Sequence, residues 1–122
     1  MKYTLRIKKN GTFRYILNKG SYKSGKYLSV HVTKCNSKKY LENNFFGICI
    51  SKKNGNSVQR NKMKRWVREV YKNEENILKK GLNIVVLYKK STKIEELNYS
   101  TIYEEIKKCF KELDIYENKE NI

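Results

Sequence analysis

The sequence contains no proline and no alanine, a single histidine and only three cysteines among 122 residues. Cys35, Cys49 and Cys109 are scattered and form no C-x-x-C. That excludes a disulfide framework or a cysteine zinc site and predicts reduced thiols. Hydrophobic residues make up 39%, and no apolar run approaches a membrane span. No short apolar segment follows a basic N-terminus as in a signal peptide, so a cytoplasmic location away from membranes is expected. Proline and alanine both need GC-rich codons, while Lys, Asn, Ile and Tyr are abundant, which points to an AT-rich genome. Acidic residues are scarce too: 12 Asp+Glu against 28 Lys+Arg, a net charge of +16.

The placement of that charge is informative. Residues 1–72 hold 19 Lys+Arg against two carboxylates, Glu42 and Glu69, a balance of +17. Residues 73–122 hold 9 against 10, a balance of −1. The excess therefore lies in the first part of the chain, where its field attracts a polyanion, most commonly nucleic acid. No segment joins a lysine face to a strongly apolar one free of core duties, which argues against a membrane surface. Length bounds the chain to one domain, set at residues 1–115, with 116–122 as a disordered tail.

Hydrophobic periodicity orders the chain. "NGTFRYILN", residues 10–18, predicts a short helix capped by Asn10 or Thr12, with Phe13, Ile16 and Leu17 on one side. "KYLSVHVT", 26–33, alternates as a half-buried strand, with Leu28, Val30 and Val32 on one face and Tyr27, Ser29 and His31 on the other. "FFGICIS", 45–51, predicts a second strand, most simply joined to the first as an antiparallel hairpin. Asn56 or Ser57 can cap a long helix reaching about Lys79, with Gly81 as its stop. "LNIVVLY", 82–88, predicts a strand buried on both faces, and residues 99–113 a last amphipathic helix. The expected fold is an α+β two-layer sandwich of order α-β-β-(β)-α-β-α, the bracketed strand lying near Ser21.

The long helix has two unlike faces. With Arg60 set at zero, Lys64 falls at about 40°, Arg68 at about 80°, Asn61 at about 100°, Lys72 at about 120° and Arg65 at about 140°. Trp66, Val70, Met63 and Val67 fall at about 240°, 280°, 300° and 340°. One face is an apolar seam; the other is a cationic stripe with an amide in its middle. Solvated helix faces normally mix both signs through i,i+4 pairs, and like charges at that spacing cost helix stability. The chain has only five arginines, and three of them are in this stripe. Such a concentration in a lysine-rich background suits bidentate contacts to phosphate or bases.

Chemistry of the chain's own is hard to find. His31 is the sole histidine, Glu42 and Glu69 stand alone in the basic part, and no phosphate-binding glycine loop is present. A self-sufficient nuclease needs a histidine pair, a carboxylate cluster or a triad. The residues describe a binder of nucleic acid, with no catalytic and no metal residues assigned.

The stretch "SKKNGNSVQRNKMKRWVRE", 51–69, resembles the signature of the bacterial ribonuclease P protein component, K-K-x-G-N-A-V-x-R-N-R-x-K-R-x-x-R. Lys52, Lys53, Gly55, Asn56, Val58, Arg60, Asn61, Lys64, Arg65 and Arg68 match it. Ser57 replaces the usual alanine, a change favourable to capping, and Lys62 replaces the second arginine, keeping charge but losing the fork. "LRIKKNGTFRYILNKG", 5–20, is similar to the family's N-terminal segment, and the resemblance covers roughly residues 5–113.

That resemblance implies an RNA-binding accessory subunit to a catalytic RNA, whose ribonucleoprotein removes the 5′ leader from precursor tRNA. Mg²⁺ would be held mainly by the RNA and the RNA–protein interface, and no obligate protein partner is implied. It implies a ribosomal-protein-S5-domain-2-like fold with a left-handed β-α-β crossover, against the usual handedness rule. Lys52, Lys53, Arg60, Asn61, Lys62, Lys64, Arg65 and Arg68 would bind RNA. Phe13, Leu17 and His31 would line a cleft for the single-stranded leader; the family usually has aromatic residues at the last two positions. A generic single-stranded or ribosomal-type RNA-binding protein is the alternative, and a stand-alone nuclease a further one.

Overall fold

The computed structural model describes residues 1–35 and 37–117. Its elements are β1 (Thr4–Arg6), α1 (Asn10–Lys19), β2 (Ser21–Ser24), β3 (Leu28–Lys34), β4 (Asn44–Cys49), α2 (Ser57–Glu74), β5 (Leu82–Tyr88) and α3 (Tyr99–Glu112). The strands form one mixed sheet in the order β1-β4-β5-β3-β2. This is the expected α+β arrangement, with β2 as the extra strand near Ser21 and β1 an addition that the sequence did not signal.

The expected hairpin of β3 with β4 does not form. β5 lies between them, antiparallel to β3 (Val30 opposite Val86) and parallel to β4 (Ile48 opposite Val86). A parallel pair needs a long crossover, and α2 supplies it between β4 and β5. Inserting β5 gives a strand apolar on both faces the central position it needs.

Two clusters hold the layers together. On one face Met63, Val67, Val70 and Tyr71 of α2, with Ile102, Ile106 and Phe110 of α3, cover Leu28, Val30, Phe46, Ile84, Val86 and Tyr88. Each fully buried aliphatic side chain there contributes about 1.5–3 kcal/mol of transfer free energy. Tyr88 buries its ring in this layer and donates its hydroxyl to the Met63 carbonyl at 2.9 Å. On the other face, among the described residues, only α1 packs, through Ile16 against Ile7 and Val85, with Phe13 and Leu17 beside them. That face is left partly open.

The α2 helix is shorter than expected, giving way at Glu75–Ile77 to a single 3₁₀ turn. Glu74 and Glu75 end it by turning inward. Glu74 accepts hydrogen bonds from the Tyr116 hydroxyl at 2.7 Å and the Tyr103 hydroxyl at 3.3 Å. Tyr116, assigned to the tail from sequence, also bridges Leu78, and the Glu117 amide donates to the Ile77 carbonyl at 2.7 Å. The rest of that expected tail, residues 118–122, lies outside the described residues.

Candidate nucleic-acid interface

The start of α2 is rigidly built. Gly55 takes φ 151°, a backbone conformation that favours glycine. Asn56, rather than Ser57, is the cap: its side-chain oxygen accepts from the Gln59 amide at 2.9 Å, and Gln59 returns the bond at 3.0 Å. Ser57 is the first helical residue, so its replacement of alanine is not a capping change. Just upstream, buried Asn54 donates to the Lys89 and Thr92 carbonyls, both at 2.8 Å. Lys52 and Lys53 are thereby presented to solvent on a fixed turn.

From that base α2 separates its residues as the wheel requires. Met63, Val67 and Val70 are buried and Trp66 packs half-buried against them, while Asn61, Arg65, Arg68 and Lys72 are exposed. Arg60 is half-buried, its Nε donating to the Gly55 carbonyl at 3.1 Å. Among the described residues the one ion pair is Lys79–Asp114, at 3.6 Å. The stripe therefore has no carboxylate partner, Glu69 included. Val58, exposed at 77%, falls beside Arg65 on the wheel and adds an apolar contact to the cationic surface.

One edge of the stripe borders a cavity of about 560 Å³. Its walls carry Lys64 and Arg68 from α2 and Arg6 and Lys8 from the N-terminal segment; Ile7, Phe13, Phe46, Gly47 and Ile48 contribute the apolar surface. Phe13 lies so close over Gly47 that a Cβ there would run into its ring. Four cations around an apolar floor suit a chain of alternating phosphates and flat bases.

The family model Ribonuclease P matches residues 1–114 of the chain. The chain belongs to the ribonuclease P protein family. It is 37% identical over 116 residues to the ribonuclease P protein component of Clostridium acetobutylicum, covering 93% of this chain and 94% of that one. With the counterpart from Thermotoga petrophila it shares 32% identity over 76 residues, which span 61% of this chain but 65% of that protein. The Staphylococcus aureus RNase P protein superposes with a TM-score of 0.77 at 30% identity, covering 91% of this chain and 96% of that one.

Within this ribonuclease P protein the residues singled out from sequence do not form one site. Lys64 and Arg68 join Phe13 at the cavity, whereas Asn61 and Arg65 are exposed elsewhere on the stripe. Lys62 stands over Trp66, with its ammonium 5.2 Å from the ring centroid. Leu17 packs into the cluster under α1. His31 is only 7% exposed, its Nε2 2.8 Å from the Ser29 hydroxyl and its buried Nδ1 without a partner. Burial holds the imidazole below its ordinary pKa.

Three residues escaped the sequence reading. Arg6 and Lys8 line the cavity from a segment too short to read as a strand. Tyr22, on β2, stacks on His31 at 5.3 Å with a 17° interplanar angle and is 61% exposed. The alternation of "KYLSVHVT" gave the face of His31, but only the β2–β3 register brings Tyr22 opposite it.

Proposed function

We propose that this chain is the RNA-binding protein subunit of a ribonuclease P ribonucleoprotein in the cytoplasm. In this reading the RNA carries catalysis and the protein assists Mg²⁺-dependent endonucleolytic removal of the 5′ leader from precursor tRNA. The observation that carries the reading is the division of α2. Lys64 and Arg68 border a cavity with an apolar floor, and Asn61 and Arg65 lie on the same uncompensated stripe. The cavity side suits the single-stranded leader, with Phe13 at its floor and Leu17 in the same cluster under α1, while His31 lies apart under Tyr22. The outer side, with Lys52, Lys53, Asn61 and Arg65, suits the structured catalytic RNA, while Arg60 lies at the opposite edge of the stripe, tied to the Gly55 carbonyl. Lys62 lies at the margin of that second surface.

Magnesium, which the family implies, takes oxygen ligands and keeps much of its water. The stripe offers cations, one amide and only Glu69 as a carboxylate, and no group of three His, Cys, Asp or Glu occurs among the described residues. That donor set does not fit a resident Mg²⁺, so no step is derived through it. A stand-alone nuclease is disfavoured by the burial of His31 under Tyr22, out of reach of a scissile phosphate.

Cleavage of a precursor tRNA at low Mg²⁺ tests the proposal, using the protein alone, the catalytic RNA alone and the mixture. Stimulation confined to the mixture is expected. Equal rates with and without the protein would overturn the reading, and cleavage by the protein alone would favour the nuclease.

A further inference from the structure

Glu75 follows α2 directly and is only 3% exposed. Its carboxylate accepts from the Lys2 amide at 2.6 Å, from the Tyr3 amide at 2.9 Å and from the Thr4 hydroxyl. Thr4 Oγ1 is in turn 2.6 Å from the Tyr71 hydroxyl. Burying a carboxylate is costly unless hydrogen bonds compensate. Here backbone amides at the start of the chain supply much of the compensation, so this carboxylate is committed to holding the N-terminus.

What it holds is the far wall of the cavity. β1 is three residues long and lies at the sheet edge, bonded on one side only, to β4. Such a strand is at the weak end of native structure. Thr4, Leu5, Arg6, Ile7 and Lys8 nevertheless line the cavity facing Lys64 and Arg68. Tyr71 and Glu75 therefore tie the segment carrying one pair of cations to the helix carrying the other.

We propose that Glu75 is a positioning residue for the single-stranded RNA cleft, fixing Arg6 and Lys8 at a set distance from Lys64 and Arg68. The proposal rests on the leader-cleft reading above. Glutamine at this position is not equivalent: it keeps one acceptor oxygen and turns an NH₂ toward groups that are themselves donors. β1 would then sample detached positions, and its two long side chains would have to be ordered on binding.

The experiment is fluorescence anisotropy of a labelled single-stranded RNA oligonucleotide on the full chain, in wild type, E75Q, R6A/K8A and the triple variant. E75Q is expected to weaken binding about five- to a hundredfold, the effect of ordering two flexible side chains. In the R6A/K8A background it should add nothing, because the wall it positions is already gone. Hydrogen exchange should show the Ile7 amide, which bonds the Phe46 carbonyl at 3.0 Å, losing protection while α2 and β5 keep theirs. T4V, which removes one donor and leaves Glu75, should give the same pattern at smaller size. Additive losses in the triple variant overturn the proposal, as does global loss of protection in both E75Q and T4V. Failure of R6A/K8A itself to weaken binding sinks the cleft reading; normal binding by E75Q beside a weakened R6A/K8A sinks Glu75 alone.

Discussion

The Lys62 ammonium lies 5.2 Å from the centroid of the Trp66 indole, one turn further along α2. Lys62 occupies the signature position where the resemblance calls for a second arginine, and its charge is directed at the ring rather than at the stripe. An exposed cation–π contact contributes about 0.5–1 kcal/mol. K62A is therefore expected to lower stability by about that amount and to shift the emission of this sole tryptophan. The slope of log K against log salt for RNA binding should stay as in wild type. R65A should do the reverse, leaving the tryptophan signal alone and reducing the slope by about 1 as a phosphate contact is lost. Equal slopes in R65A and wild type would remove Arg65 from the RNA contact, and a K62A slope as low as that expected of R65A would put Lys62 into it.

Tyr22 has one ring face covered by His31 and stands 61% exposed. A backed aromatic ring is held in place before binding, so it loses little conformational entropy when a base stacks on it. Stacking of one base on an exposed ring is worth about 1–3 kcal/mol. Y22A should weaken binding of a single-stranded RNA by about that much, while Y22F, which keeps the ring, should bind within about twofold of wild type. Titration of all three proteins with the same oligonucleotide checks it. A Y22F as weak as Y22A would show that the hydroxyl, not the ring, makes the contact.

The two faces of α2 were legible because a helix writes both into a local period. Arg60, Lys64, Arg65 and Arg68 separate from Met63, Val67 and Val70 by angle alone. Strand 82–88 was equally plain, since a run apolar at every position asks for cover on both sides. What sequence could not supply were relationships between distant segments. Nothing in the local pattern sets Glu74 and Glu75 apart, yet one is claimed by Tyr116 and the other by the amides of Lys2 and Tyr3. Those distant partners end α2 earlier than its periodicity suggests. β1 has three residues and no alternation long enough to detect, so Arg6 and Lys8 were left out of the site. The mistaken hairpin had a usable cue: the stretch 35–43 is long for a tight turn, and a helix between two apolar strands is the usual mark of a parallel pair.

His31 gives the chain a pH dependence with a definite sign. Burial disfavours its charged form, so its pKa in the folded state lies below the ordinary value of about 6.5. The unfolded chain therefore binds a proton more readily than the folded one. The stability owed to the neutral buried ring is fully present above about pH 6.5 and is lost as the pH falls below it toward the depressed native value. Glu75 acts in a separate, more acidic window. Desolvation raises its pKa, but the bonds from Thr4, Lys2 and Tyr3 and the N-terminal charge outweigh this and hold it below normal. Its contribution is lost only as the pH falls below about 4.3. Urea unfolding of wild type at pH 7.5 and 5.5 should thus show a drop that H31F, which keeps a ring under Tyr22 and has nothing to titrate, does not share. A drop of the same size in H31F would assign the pH dependence to other groups.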